Sequence, residues 1–236
     1  MRRVFSARDF NPRGGFWLLL ALLVIESWGS LEMGQEAQLG AAGGESPAVG
    51  SLPTLTHIAQ IRDLTLEEAT RGYPVRIRAI VTYCRVADRD LFIQDSTAGV
   101  WVDPEQFNVN VRSGQQIEVE GIAGPGDFAP EIDKARIRIL GQGPYPVPLR
   151  VSGDDLATGR QDSQWVEVEA VVRSAIERGT DLTLIVSAGA LQFRVFVPDY
   201  GTSTTDLVDA AVRIRGVFGG TYTPGDMFTG FELMVP

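Results

Sequence analysis

The most constraining feature of this 236-residue chain is an internal repeat. Residues 75–81 (VRIRAIV) match residues 166–172 (VEVEAVV) at an offset of 91. Residues 117–121 (IEVEG) match residues 212–216 (VRIRG) at an offset of 95. A repeat of roughly ninety residues is too long for one solenoid unit and has the length of a small domain. We therefore predict two tandem copies of one domain.

Apolar and polar residues alternate along several short segments of each repeat, which is the pattern of half-buried strands. The predicted strands cover residues 75–84, 91–95, 100–103, 116–122 and 135–140 in the first repeat and 165–176, 182–187, 191–197, 211–218 and 227–235 in the second. A long first strand and a long loop between the fourth and fifth strands are typical of the OB fold. The prediction is an all-β protein with two tandem five-stranded OB-like Greek-key barrels. SH3-like barrels and half-sandwiches are the alternatives.

A short helix is expected before each barrel. Thr65 and Glu68 have the spacing of a capping box, and Ser152 begins a similar pattern before the second barrel. The predicted organisation is a signal peptide or signal anchor (1–29), a flexible tether (30–54), the first barrel (55–140), a Gly/Pro linker (141–150) and the second barrel (151–236).

The N-terminal segment has the composition of an export signal. Four arginines precede an apolar run of ten residues, from Phe16 to Ile25. A membrane-spanning helix needs about 20 apolar residues, so the run suits a signal peptide better than a full span. We expect an extracytoplasmic, periplasmic protein. The segment is either cleaved before Ser30 or retained as an anchor in the inner membrane, and only the retained form would contact the membrane.

Composition excludes several kinds of chemistry. The chain has one histidine and one cysteine, too few for a Cys/His zinc site, an internal disulfide or most His-dependent triads. We therefore assign no catalytic residue, cofactor or metal, and do not expect an enzyme. After the first thirty residues the net charge is about −11, so a nucleic-acid backbone would be repelled.

Charged residues alternate on two strands of each repeat with opposite polarity. The outward positions hold Arg76 and Arg78 against Glu118 and Glu120 in the first repeat, and Glu167 and Glu169 against Arg213 and Arg215 in the second. The first and fourth strands are neighbours in an OB barrel, so these residues are predicted to form cross-strand ion pairs rather than a phosphate site. The reversed polarity also disfavours pairing between strands of different barrels.

Outward-facing aromatic residues are the usual ligand platform of an OB fold. Phe92 and Trp101 lie in the non-core phase of the second and third strands, and Phe196 is comparable in the second repeat. The loops between the fourth and fifth strands add Asp127, Phe128 and Tyr222. These six residues are the candidate ligand-binding set. The alternative is that the aromatics cover contacts between the two barrels.

Several short motifs resemble those of one protein family. They are residues 64–69 (LTLEEA), 72–78 (GYPVRIR), 91–95 (LFIQD), 99–102 (GVWV) and 162–168 (DSQWVEV). They resemble the exported input region of bacterial membrane-bound sensor histidine kinases, in which two OB-like barrels precede a transmembrane helix and signalling domains. The resemblance implies a sensory or partner-binding module for an unknown envelope ligand or protein, and it supplies no catalytic residue.

The sequence contains no phosphoacceptor helix and no ATP-binding glycine motif. We therefore expect a sensor fragment or a stand-alone copy of the input module, without kinase activity. The alternative function is an OB-fold protein that binds nucleic acid or an oligosaccharide.

Overall fold

The computed structural model describes residues 52–106, 110–201, 207–222 and 228–236. The predicted signal segment and residues 30–51 of the predicted tether lie outside the described residues. Within the described ranges, no helix is long and apolar enough to cross a membrane.

The first repeat forms a closed barrel of five strands. They are β1 (Pro74–Arg85), β2 (Asp90–Gln94), β3 (Gly99–Pro104), β4 (Gln115–Gly124) and β5 (Glu131–Gln142). The strand order is β1-β2-β3-β5-β4, and β4 pairs back onto β1. Only the β3–β5 pairing in this barrel is parallel. This order is the OB-type Greek key that the sequence predicts.

The second repeat has the same strand order. Its strands are β7 (Trp165–Arg178), β8 (Asp181–Ala188), β9 (Leu191–Val197), β10 (Ala211–Tyr222) and β11 (Phe228–Met234). The ring closes through antiparallel β10–β7 pairing, and β9 pairs in parallel with β11. The fold is therefore two tandem OB-type barrels.

A short lead-in segment pairs in parallel with the first strand of each barrel. In the second barrel it is β6 (Leu149–Val151), which aligns Leu149 with Val166. In the first barrel the corresponding contact is the parallel bridge between Leu55 and Val75. The predicted linker therefore needs correction: β5 continues to Gln142 and β6 begins at Leu149, because an extended Pro-containing segment can still pair along one edge.

Within the described residues, two helices precede the first barrel where one was predicted. They are α1 (Ile58–Arg62), which was not predicted, and α2 (Leu66–Ala69). The capping box at α2 is confirmed, since Thr65 Oγ1 accepts from the Glu68 backbone N–H and Glu68 accepts from the Thr65 N–H. Ser152 and Asp155 cap α3 (Gly153–Ala157) in the same way.

Each barrel has its own apolar core. In the first, inward residues of β1 such as Ile77 and Val81 pack against Ile93, Ile117 and Ile132. In the second, Val168 and Val172 of β7 occupy the corresponding positions. The outward side chains of the first strands are therefore left to the surface, where the charged residues lie.

Candidate binding surfaces

The two main residues of the predicted aromatic platform, Phe92 and Trp101, pack in the interface between the barrels. Phe92 is 7% exposed and packs near Tyr83, with ring centroids 6.5 Å apart. Trp101, its cross-strand partner, is partly buried against the same cluster. The buried members of this interface cluster are Tyr83, Phe92, Trp165, Val217 and Met234. Phe92 is therefore covered by the second barrel and is not presented to a ligand in this arrangement.

Polar contacts fix the same interface. The Gln94 side-chain oxygen accepts a 2.7 Å hydrogen bond from the Trp165 backbone N–H. The Gln164 amide both accepts from the Gly99 N–H at 3.0 Å and donates to the Gly99 carbonyl at 3.2 Å. The Arg85 guanidinium pairs with Asp181 at 2.8 Å. These directional contacts hold the two barrels in one arrangement.

The other predicted ligand residues are dispersed. Phe196 is half-buried beneath the Arg85 guanidinium, which lies 4.5 Å from the ring centroid. Asp127 is exposed, and Phe128 is 50% exposed with its ring beside Gly159. Tyr222 ends β10, but its side chain lies outside the described part of the chain. The structure thus brings Phe92 and Trp101 together and leaves the loop residues apart from them.

The predicted charge ladder of the first barrel is confirmed. The register aligns Arg76 with Glu120 and Arg78 with Glu118. Glu118 is 6% exposed and accepts from Arg78 Nε at 3.1 Å and from Arg138 on β5. Hydrogen bonds from Arg138 and then Arg78 lower the pKa of Glu118 to about 2. One covered carboxylate on β4 is therefore shared among three guanidiniums from the two neighbouring strands, β1 and β5.

The second barrel contains an equivalent arrangement with exchanged strands. Glu167 on β7 is 5% exposed, and Arg215 Nε on β10 donates to it at 2.6 Å. Arg150 on β6 lies 3.2 Å from the same carboxylate. The hydrogen bond from Arg215 holds the Glu167 pKa below its ordinary value. Arg213 pairs with the exposed Glu169 at 2.8 Å.

The third strand of each ladder was missed by the sequence reasoning. Arg136 and Arg138 align with Glu120 and Glu118, and Arg150 aligns with Glu167. The two faces therefore carry more guanidiniums than carboxylates. Residues 135–140 (ARIRIL) repeat the Arg-Ile-Arg pattern of β1, which was the available signal for the first barrel.

A groove lies on the outer face of the first barrel, beside its charge ladder. Its volume is about 690 Å³. The side chains of Arg76 and Arg78 line it from β1, with Glu118 beneath them. The walls come from His57 in the lead-in segment and from Tyr145 with its flanking prolines after β5. We call this space the first groove.

A second groove of about 470 Å³ lies at the corresponding place on the second barrel. Glu167 and Glu169 line it from β7, in place of the β1 arginines. Arg150, Asp154 and Arg213 complete its charged lining. Because the ladder polarity is reversed between the repeats, the same position on the fold presents arginines in one groove and glutamates in the other.

Two half-buried carboxyl groups, Asp90 and Glu232, also lie near the interface. Burial, together with the negative charges of Asp88 and Glu232, raises the pKa of Asp90 to about 7. The positive charge of Arg85 lowers this pKa by a smaller amount. Burial likewise raises the Glu232 pKa. Among the described residues, no group of three or more His, Cys, Asp or Glu side chains could hold a metal ion.

Comparison with known proteins identifies no family for this chain. No family model matches the sequence, and no curated protein matches it. Similar solved structures include the p204 HINb domain, with 13% identity, a TM-score of 0.31 and coverage of 67% of this chain and 91% of that one.

Two further structures were solved with DNA. The Ifi202 HINa domain in complex with 20bp dsDNA has 8% identity, a TM-score of 0.30 and coverage of 68% of this chain and 91% of that one. The structure of fission yeast Pot1 and ssDNA has 10% identity, a TM-score of 0.31 and coverage of 73% of this chain and 83% of that one. At these values the similarities carry no argument about the fold, the ligand or the function of this chain.

Proposed function

We propose that this chain is a non-catalytic binding module that acts outside the cytoplasm as the input region of a signalling receptor. The observation that carries the proposal is the use of the OB-type aromatic face. Phe92 and Trp101 join the barrels, while an open groove remains on the outer face of each barrel. Recognition is then a task for the grooves and outer charged faces.

The barrel interface suits a sensory role. Trp165 begins β7, is 6% exposed, and donates its backbone N–H to Gln94 of the first barrel. Tyr145, which lines the first groove, stacks on the Trp165 ring with centroids 5.0 Å apart. A ligand that displaces Tyr145 would therefore alter a contact at the barrel interface, which is the kind of coupling a sensor requires.

Nucleic-acid binding is the second candidate function. Its support is the guanidinium excess on the two ladder faces, where Arg76, Arg78, Arg136, Arg138, Arg150, Arg213 and Arg215 surround four glutamates. Several OB folds bind single strands through such cationic surfaces with stacking aromatics. The acidic net charge and the covered Phe92 count against it.

Export is tested with a reporter that is active only after translocation, fused after Leu55. We expect activity outside the cytoplasm. The control carries glutamates in place of Arg2, Arg3, Arg8 and Arg13, which removes the positive N-terminal region. Reporter activity confined to the cytoplasm would contradict the proposal.

The two candidate functions are separated by titrating single-stranded DNA into the purified chain at about 50 and 200 mM salt. We expect no binding in the micromolar range. Micromolar affinity that falls steeply with salt and is lost in an Arg136→Gln, Arg138→Gln variant would favour the nucleic-acid function. Arg213→Gln with Arg215→Gln tests the ladder face of the second barrel in the same way.

A further inference from the structure

We propose that the first groove binds a small anionic ligand built on a ring, such as a sugar that carries a carboxylate or phosphate group. This inference deepens the proposed binding function and rests on it. It assigns a ligand class to one groove and excludes the equivalent groove on the second barrel.

The carboxylates of the first groove already have donors. Glu118 accepts from Arg78 and from Arg138, and Arg138 does not line the groove. Asp95 accepts backbone N–H bonds from Ile58 at 2.9 Å and from Thr97 at 2.7 Å. The negative charges in the lining are therefore balanced partly from outside the groove, which leaves the β1 arginines available to an anion.

The arginines can bind a ligand and keep their ladder contacts. Arg78 contacts Glu118 through Nε, while Arg76 uses Nε toward Glu120 and one terminal nitrogen toward Glu118. Each guanidinium has five N–H donors and suits bidentate recognition of carboxylate or phosphate. Arg76 and Arg78 are 60% and 67% exposed, so an incoming anion can reach them.

The shape of the groove favours a small ring compound. Its volume of about 690 Å³ falls within the ordinary range for small-molecule sites. Tyr145 and its neighbours Pro144 and Pro146 offer apolar faces on one wall. The polar side chains of Thr56, His57 and Ser96 also line the groove. Together with the arginines, these groups match a sugar ring that carries an anionic substituent.

The second groove does not offer free arginine donors to an anion in the way that the first groove does. Its β7 wall presents Glu167 and Glu169 where the first groove presents arginines. Arg150 and Arg213 in its lining already pair with those two glutamates. Asp154 adds another carboxylate. Arg215 also pairs with Glu167 from outside the lining, so the charges of the second groove only cancel, whereas Arg138 gives the first groove an excess of one positive charge. The second barrel is therefore an internal control for the first.

The test is calorimetric titration of the full chain with glucuronate, glucose 6-phosphate and glucose. The first two share a sugar ring but differ in their anionic group, and glucose is the neutral match. We expect at least one anionic sugar to bind with a Kd of about 1 mM or tighter, and glucose not to bind. The preferred probe identifies a carboxylate or a phosphate ligand.

Matched variants locate the site. Arg76→Gln with Arg78→Gln should weaken binding at least tenfold, whereas Arg213→Gln with Arg215→Gln should leave it unchanged. Both variants remove two ladder arginines, so thermal unfolding controls for a folding defect. Tyr145→Leu should weaken binding without changing charge.

Absence of binding by both anionic sugars, equal binding of glucose, or equal loss in both arginine variants would overturn the inference. A chain that is exported but fails this titration contradicts the groove assignment and leaves the proposed function. Groove binding by a chain that stays in the cytoplasm contradicts the proposed function instead.

Discussion

At the scale of single residues, two carboxyl groups, Glu118 and Asp90, have pKa values far from the ordinary ones. Glu118 is covered by arginines that keep it ionised, whereas Asp90 is half-buried in surroundings that favour its protonated form. Both are carboxyl groups, yet the pKa of Glu118 is lowered and the pKa of Asp90 is raised. Hydrogen bonds from guanidiniums are the main cause at Glu118, whereas removal from water is the main cause at Asp90, with the Asp88 and Glu232 charges adding to it.

Glu118→Gln should destabilise the first barrel more than Glu120→Gln does. Glu118 is 6% exposed and shared by three arginines, while Glu120 is 54% exposed and pairs with Arg76. Removing the covered charge leaves guanidiniums facing one another, whereas an exposed pair contributes little. Chemical denaturation of the two variants measures the difference. Equal losses would show that Glu118 is not the centre of the ladder.

The depressed pKa of Glu118 also fixes the sign of an acid effect. Its folded pKa is about 2 and its ordinary value is 4.5, so the stabilisation is present above pH 4.5 and is lost as the pH falls toward 2. We expect Glu118→Gln to lose less stability than the native chain over that interval. Denaturation midpoints measured at pH 5 and pH 3 provide the comparison.

Asp90→Asn should flatten the stability profile at higher pH. The folded pKa of Asp90 is about 7 and its ordinary value is 3.8, so the folded state binds more protons between these values and stability falls as the pH rises. The variant should gain on the order of 1 to 3 kcal/mol relative to the native chain between pH 4 and pH 8. Asp88→Asn, which removes a neighbouring negative charge, should lower the folded pKa of Asp90, so that the decline in stability ends at a lower pH.

Asp88→Asn should reduce the pH dependence of stability that Asp90 causes. Because Asp88 raises the Asp90 pKa, its removal lowers that pKa and narrows the interval over which stability falls. The total loss across the interval should therefore shrink. Asp88→Asn and Asp90→Asn should not be additive, and strict additivity would contradict the electrostatic coupling.

At the scale of strands and helices, alternation predicted the core strands because their inward and outward faces differ in polarity. It could not predict α1 or β6, since a five-residue helix and a three-residue strand are too short to show a period. The Arg136 and Arg138 pattern was visible but was not connected to the ladder. Pairing between sequence-distant strands is set by the closed barrel and not by local pattern.

The candidate site was harder to predict than the strands. Phe92 and Trp101 occupy outward-facing positions on β2 and β3, as a ligand platform would. Residues at the same positions can also pack against a neighbouring domain, as they do here. The sequence of one barrel carries no sign of what covers it. The motifs at residues 91–95 and 162–168, which carried the family resemblance, supply Gln94, Gln164 and Trp165 to the interface. Their role in this chain is structural.

Gly99→Ala should disrupt the contact between β3 and the start of β7. An added Cβ would overlap the Ser163 carbonyl oxygen, and that oxygen belongs to the backbone and cannot rotate away. We expect a loss of about 1–3 kcal/mol, which is typical of overpacking. Gly153→Ala is the matched control, because its Cβ would overlap the Ala188 carbonyl within the second barrel.

The two glycine variants are distinguished by near-ultraviolet circular dichroism of the aromatic cluster. Gly99→Ala should change the signal of the interface aromatics before unfolding, while Gly153→Ala should preserve it. An unchanged interface signal in Gly99→Ala would mean that the barrels tolerate separation at this point.

At the scale of the whole molecule, the interface makes the two barrels interdependent. It combines a buried aromatic cluster with hydrogen bonds to backbone atoms on both sides. Opening it would expose Phe92, Trp165 and Met234 to water, which is unfavourable for large apolar side chains. Each barrel has a separate core, so the interface and not a shared core determines whether they unfold together.

We predict that the described unit unfolds in a single cooperative transition, and that Trp165→Ala with Gln94→Ala separates it into two. Replacing a buried aromatic by Ala removes about 3–5 kcal/mol, and here the lost contacts join the barrels. Leu182→Ala is the control, because Leu182 is 1% exposed in the core of the second barrel and does not belong to the interface cluster. It should lower stability by about 2–5 kcal/mol while the transition stays single.

Scanning calorimetry measures this prediction through the ratio of calorimetric to van't Hoff enthalpy. A ratio near one for the native chain and Leu182→Ala, with a ratio well above one for the interface variant, is expected for two barrels coupled through Trp165 and Gln94. Two transitions in the native chain would mean that each barrel folds alone and that the interface adds little. In that case Tyr145, stacked on Trp165, could not transmit an event in the first groove to the second barrel.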